Sequence, residues 1–81
     1  MLFKKKSKFY RQFEKDYRKY AKEIKSHRKT TDYLVSAFMS EWDSDRAKEL
    51  LNQIEAHAKA VRELELKQAC CKAWIKILDE A

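Results

Sequence analysis

The chain has 81 residues, a net charge of +6, two cysteines, and neither glycine nor proline. That length allows one ordinary domain with a limited core. Sheet folds need several tight turns, which usually draw on glycine or proline, so the composition points to an all-α fold.

The net charge hides an asymmetry. Residues 1–29 hold 12 basic and 3 acidic side chains, 12 minus 3 giving +9, whereas residues 30–81 hold 7 and 10, giving −3. Such a field favours polyanions or acidic surfaces and says nothing of fold. No apolar run approaches the roughly 18 residues that would suggest a membrane span, so no transmembrane segment is expected. The opening Met1-Leu2-Phe3-Lys4-Lys5-Lys6 is positive but has no apolar stretch behind it, unlike a secretory signal.

Residues 1–5 read as a frayed basic tail, with Lys4, Lys5 and Lys6 turned to solvent or to a negative partner. Ser7 is a candidate N-cap. From there Tyr10, Phe13, Tyr17, Tyr20, Ile24, His27, Thr31, Leu34 and Phe38 recur at alternating steps of three and four. That is the spacing that holds one helix face against a partner. The segment Ser26 to Asp32 is ambiguous, because Thr30 or Thr31 has the chemistry to cap a new helix. The seam passes through it without losing phase, which favours one long helix over about 7–40.

Ser40-Glu41-Trp42-Asp43-Ser44-Asp45 is the clearer break, rich in side chains that compete for backbone hydrogen bonds. A turn is expected over about 41–44, with Asp43 or Ser44 capping the next helix and Trp42 plugging the end of the core. A second helix over about 45–79 carries the seam Leu50, Ile54, His57, Val61, Leu64, Gln68, Cys71, Ile75 and Leu78. Glu55–Lys59, Lys59–Glu63 and Glu63–Lys67 have the spacing of favourable helix pairs, each worth about 0.2–0.5 kcal/mol.

Folding at the turn makes the helices antiparallel, with facing residue numbers adding to about 86. This register sets Phe13 near Ala73, Tyr17 near Ala69, Ile24 near Val61, and His27 near Ala58. Large aromatics would then oppose small residues, as a filled core requires. The expected fold is a single all-α domain over residues 1–81, a long antiparallel helical hairpin dimerising into a four-helix bundle that covers the widened apolar face. The alternative is a three-helix monomer with a break near Thr30.

No catalytic constellation is present, and enzyme activity and cofactors are not expected. His27 and His57 lie on facing seams and can meet, but Cys71 is about 20 Å further along the axis, too far to complete a zinc site with them. Cys70 and Cys71 are adjacent, which is neither a disulfide framework nor a CxxC pair. They suit a reducing, cytoplasmic setting. Cys71 reads as a small buried hydrophobe, and Cys70 lies nearer the surface.

The strongest functional signal is the basic set Lys4, Lys5, Lys6, Lys8, Arg11, Lys15, Arg18, Lys19, Lys22, Lys25, Arg28 and Lys29. Much of it recurs at three and four, a positive stripe able to follow nucleic-acid phosphates. Tyr10, Tyr17 and Tyr20 would stack on unpaired bases only if exposed, whereas their seam positions favour the core. The leading expectation is DNA or RNA binding without sequence choice. The alternative is a protein-interaction module that docks on an acidic surface of a larger protein, using Tyr33, Met39 and Trp42 near the hairpin tip.

Overall fold

The computed structural model describes residues 8–80, and they form two helices, α1 (Lys8–Met39) and α2 (Ser44–Glu80). The helices run antiparallel along each other in a hairpin 63 Å long and 14 Å across. The expected tail, with Lys4, Lys5, Lys6 and the candidate cap Ser7, lies outside the described residues.

The ambiguous segment of α1 is continuous helix. The Thr30 hydroxyl donates to the Ser26 carbonyl at 3.1 Å, and the Thr31 hydroxyl to the His27 carbonyl at 2.8 Å. Both hydroxyls are thus used one turn back inside the helix rather than as caps of a new one. The three-helix arrangement with a break near Thr30 is not formed, since α1 is continuous from Lys8 to Met39.

The turn is built without any residue of positive φ among those described. At the end of α1 the Ser40 hydroxyl bonds back to the Ser36 and Ala37 carbonyls, and Glu41 N–H donates to the Phe38 carbonyl at 3.2 Å. One carboxylate oxygen of Glu41 then accepts the backbone N–H groups of Trp42 and Asp43, while the other lies 3.3 Å from Arg46 Nε. Asp43 is the N-cap of α2. Its carbonyl accepts from Ala47 and its Oδ1 from Asp45 N–H, both at 2.9 Å. Carboxylates therefore do the work that glycine would do in another turn.

Ile24 and Leu34 of α1 and Leu50, Leu64 and Cys71 of α2 form the buried core, with the other seam residues half-buried. This is a single seam between two rods. Its accessible surface is 6837 Å², against about 5,200 Å² for a compact monomer of this mass.

Two expectations fail at the edges of that core. Trp42 is 97% exposed and plugs nothing, because its backbone is pinned to Glu41 beyond the end of the seam. Phe13 meets the indole of Trp74, not the small Ala73 beside it. The helical ladder of ion pairs is also absent among the described residues, and Lys67 instead lies 6.0 Å from the centre of the Tyr20 ring. Exposed ion pairs in water gain about 0–1 kcal/mol, too little to hold long side chains together. No helix among the described residues is long and apolar enough to cross a membrane.

Candidate nucleic-acid interface

The seam fixes which face of α1 looks outward. With Tyr10, Tyr17, Ile24, Thr31 and Phe38 turned to α2, the residues opposite them fall at Lys8, Lys15, Lys22 and Lys29. Arg11, Arg18 and Lys25 fill the adjacent positions. Together these seven residues form a ridge with the same alternation of four and three as the core seam. All seven are exposed. The ridge is about 32 Å long, from 21 steps of 1.5 Å.

The acidic residues of this half are kept off the ridge. Glu14, Asp16 and Glu23 are half-buried on the flanks beside α2, and Asp16 accepts a hydrogen bond from Gln12 at 2.9 Å. The seven ridge positions themselves carry no carboxylate until Asp32, which ends the ridge, while Glu14 stands on the flank between Arg11 and Arg18. An open groove of about 590 Å³ on this half of α1 is lined by Arg11, Glu14, Lys15, Arg18, Lys19 and Lys22. The aliphatic stems of its lysines and arginines shape its walls, and their charged ends reach solvent.

Not every candidate joins the ridge. Arg28 lies on a flank, where its guanidinium donates to Glu65 of α2 at 2.7 Å. Its charge is matched within the hairpin. Lys19 is exposed beside the ridge and lines the groove.

Tyr10, Tyr17 and Tyr20 are half-buried in the seam. The Tyr20 hydroxyl is held above its usual pKa of 10.0, first by removal from water and then by the Asp16 carboxylate. The tyrosine that is available is Tyr33, 73% exposed. It stands one turn beyond Lys29, beside the ridge. In the sequence it groups with Met39 and Trp42 near the tip. By heptad phase Tyr33 follows Lys19 beside the ridge, whereas the ridge positions themselves continue to Asp32 and Ser36.

At the tip Met39 is 78% exposed, so Met39 and Trp42 form no cap on the bundle end. Val35 of α1 and Leu51 of α2 are also exposed near this end. On α2 a further apolar stripe faces away from α1: Leu66, Cys70, Ala73 and Ile77, all exposed and spaced four, three and four.

Both cysteines are free, with Cys70 exposed and Cys71 buried. The Cys71 thiol is pushed above its usual 9.0 by burial first, then by Asp16 and Cys70. It is therefore held in the protonated form, which is a poor nucleophile. Among the described residues no group of three or more His, Cys, Asp or Glu side chains converges as a metal cage.

Comparison with protein-family models, curated proteins and solved structures gives no match.

Proposed function

We propose that this protein binds nucleic acid through the outward ridge of α1, without catalysing a reaction. The observation that carries the reading is the unbroken run of exposed cations from Lys8 to Lys29, seven positions in helical phase with the acidic residues displaced to the flanks. Neither packing nor helix stability asks for this arrangement. Lys15–Lys22 and Arg11–Arg18 repeat like charge along one face, and Lys15–Lys19 and Arg18–Lys22 repel at a spacing of four. Phosphates spaced along a strand relieve that repulsion and release their own counterions. Tyr33 at the end of the ridge supplies a π-face for one unpaired base. Contacts of this kind give affinity and salt dependence rather than sequence choice.

A dimer belongs to the same proposal. The outward stripe of α2 is self-complementary under a two-fold axis between Cys70 and Ala73. Antiparallel α2 helices then set Leu66 against Ile77 of the second copy and Cys70 against Ala73, with small residues at the centre allowing close approach. The two basic ridges would lie on opposite outer faces of this assembly.

Fluorescence anisotropy against labelled duplex DNA, single-stranded DNA and structured RNA at three salt concentrations tests the reading. Sub-micromolar binding that weakens steeply with salt is expected. Absence of binding to all three near physiological salt overturns it. The second reading, docking on an acidic protein surface, draws on the exposed Tyr33, Met39 and Trp42 at the tip. It predicts capture of a protein partner, lost on changing those three residues and little affected by salt.

A further inference from the structure

The seams bring His27 of α1 and His57 of α2 together about three turns in from the hairpin tip. Their Nδ1 atoms lie 2.8 Å apart, the ring centres are 5.0 Å apart, and the rings are tilted by 52°. Both residues are half-buried, so the pair is fixed by packing yet open to solvent. In a neutral pair one ring donates its Nδ1–H and the other accepts with its Nδ1 lone pair. The two helices are thus joined by the same two atoms that would bind a metal ion.

We propose that His27 and His57 form a two-nitrogen site for a late first-row divalent ion with right-angle coordination, Ni²⁺ or Cu²⁺. Imidazole suits both ions, and both favour tetragonal geometry. Two metal–nitrogen bonds of 2.0–2.1 Å meeting at a right angle place the nitrogens about 2.9 Å apart, close to the separation already present. A tetrahedral ion needs about 3.4 Å, so Zn²⁺ requires the helices or rings to part. The hydrogen bond must break and both lone pairs turn to a common point, a change of ring torsion rather than of backbone. The donor ring loses its Nδ1 proton and takes one up at Nε2, so both rings stay neutral and no net proton is released. Water fills the remaining positions, since no third protein donor converges there among the described residues. An ion so held ties α1 to α2 on the turn side of their midpoints. It binds the folded hairpin and not the separated helices, and so stabilises the fold.

The test is a calorimetric titration of the full chain with Ni²⁺ and Cu²⁺, paired with thermal melts followed by circular dichroism. Wild-type chain is expected to bind one Ni²⁺ per hairpin, and its melting temperature to rise by roughly 10–20 °C at a hundredfold excess over Kd. Mg²⁺, which prefers oxygen ligands, is expected to do neither. His27→Gln and His57→Gln keep side-chain polarity, and each should weaken Ni²⁺ binding at least tenfold. Cys70→Ser should leave it unchanged. Helical content recorded for each variant separates loss of the site from loss of the fold. Failure of wild-type chain to bind either ion at millimolar concentration overturns the proposal, as does binding that survives in folded His27→Gln. Neither result bears on the basic ridge, whose anisotropy assay holds no metal.

Discussion

The indole of Trp74 lies flat against the ring of Phe13, with centres 5.9 Å apart and planes 6° from parallel. This stack closes the open end of the hairpin, where no turn joins the helices. Trp74 is itself half-exposed, and it sits on the flank of the α2 seam, so it covers the seam from the side. Trp74→Ala is expected to cost about 1.5–3 kcal/mol, below the range for a fully buried aromatic because half of its surface is already wet. Urea unfolding measures it. A double-mutant cycle with Phe13→Ala should give a coupling of about 0.5–1.5 kcal/mol. No coupling would mean the rings merely lie near each other.

The turn depends on two carboxylates. Asp43 caps α2 through Asp45 N–H, and Glu41 accepts two backbone N–H groups while facing Arg46. Asp43→Ala should lower stability by about 1 kcal/mol and Asp43→Asn by much less, since asparagine retains the acceptor. Unfolding midpoints of the two variants decide this. Equal losses would show that the carboxylate charge matters, not the cap.

Much of the hairpin was legible in the seams. Alternation at three and four gave two helices and their facing sides, and the cluster around Asp43 gave the break. The antiparallel register put His27 within one residue of its partner and Phe13 within one of Trp74. What the seams did not carry was anything decided off the a/d face. Trp74 was legible only as a flank, and a flank residue beats Ala73 to Phe13 because its side chain reaches further. Trp42 looked like a plug because apolar residues near helix ends often are. Its place depended on a backbone pinned by Glu41, which no periodicity records. The site divides in the same way. The ridge follows from helical phase alone, whereas the removal of Arg28 from it required knowing that Glu65 lies across the groove between the helices. The three-helix alternative turned on whether Thr30 and Thr31 bond forward as caps or backward within α1, and the same residue type serves either use.

The ridge makes a graded prediction. Lys15→Ala, Arg18→Ala and Lys22→Ala should each reduce the slope of log affinity against log salt by about 0.9 on duplex DNA, or about 0.7 on a single strand, for every phosphate contact removed. Arg28→Ala should change it least, because Arg28 is already matched by Glu65. Tyr33→Ala separates the polymers. It should weaken single-strand binding by about 1–3 kcal/mol and leave duplex binding nearly unchanged, because only an unpaired base offers its face. Equal loss on both would assign Tyr33 a phosphate contact instead. Anisotropy titrations on the same three ligands give all of these values.

Stability should fall on the alkaline side. The Cys71 thiol and the Tyr20 hydroxyl are both raised in the folded chain, each chiefly by removal from water. A raised acid keeps its proton in the folded state after the unfolded chain has begun to lose it. The unfolded state then binds fewer protons, and stability declines as pH rises. The contribution is whole below about pH 9, where the unfolded thiol remains protonated, and diminishes above it. Melting temperatures measured from pH 7 to pH 11 should be level at first and then drop. Cys71→Ala should remove the earlier part of the drop and leave the part that begins near pH 10, where tyrosine ionises. An unchanged profile in that variant would place the effect elsewhere, on the lysines or on Tyr20 alone.

The proposed dimer rests on the apolar stripe of α2. Leu66 is 69% exposed and Ile77 55%, both on a helix face that α1 leaves uncovered. Single exposed apolar residues are common on soluble proteins, and contiguous apolar patches are the ones that mark interaction sites. If two copies meet there, Leu66→Glu sets a carboxylate against Ile77 of the second copy, and the contact cannot close without burying an unpaired charge. Sedimentation velocity on wild-type chain should therefore show a dimer that Leu66→Glu and Ile77→Glu each convert to monomer. Val35→Glu and Leu51→Glu, on the open side of the hairpin near its tip, serve as the contrast. Those two would disrupt a square four-helix bundle packed through that side and spare the α2-to-α2 contact. Dissociation by the second pair alone would move the interface to the tip side. A wild-type chain that sediments as a monomer at 100-fold the concentration of the anisotropy assay would leave the ridge to act on single hairpins, and the salt slope per bound chain would then stay constant as binding approaches saturation.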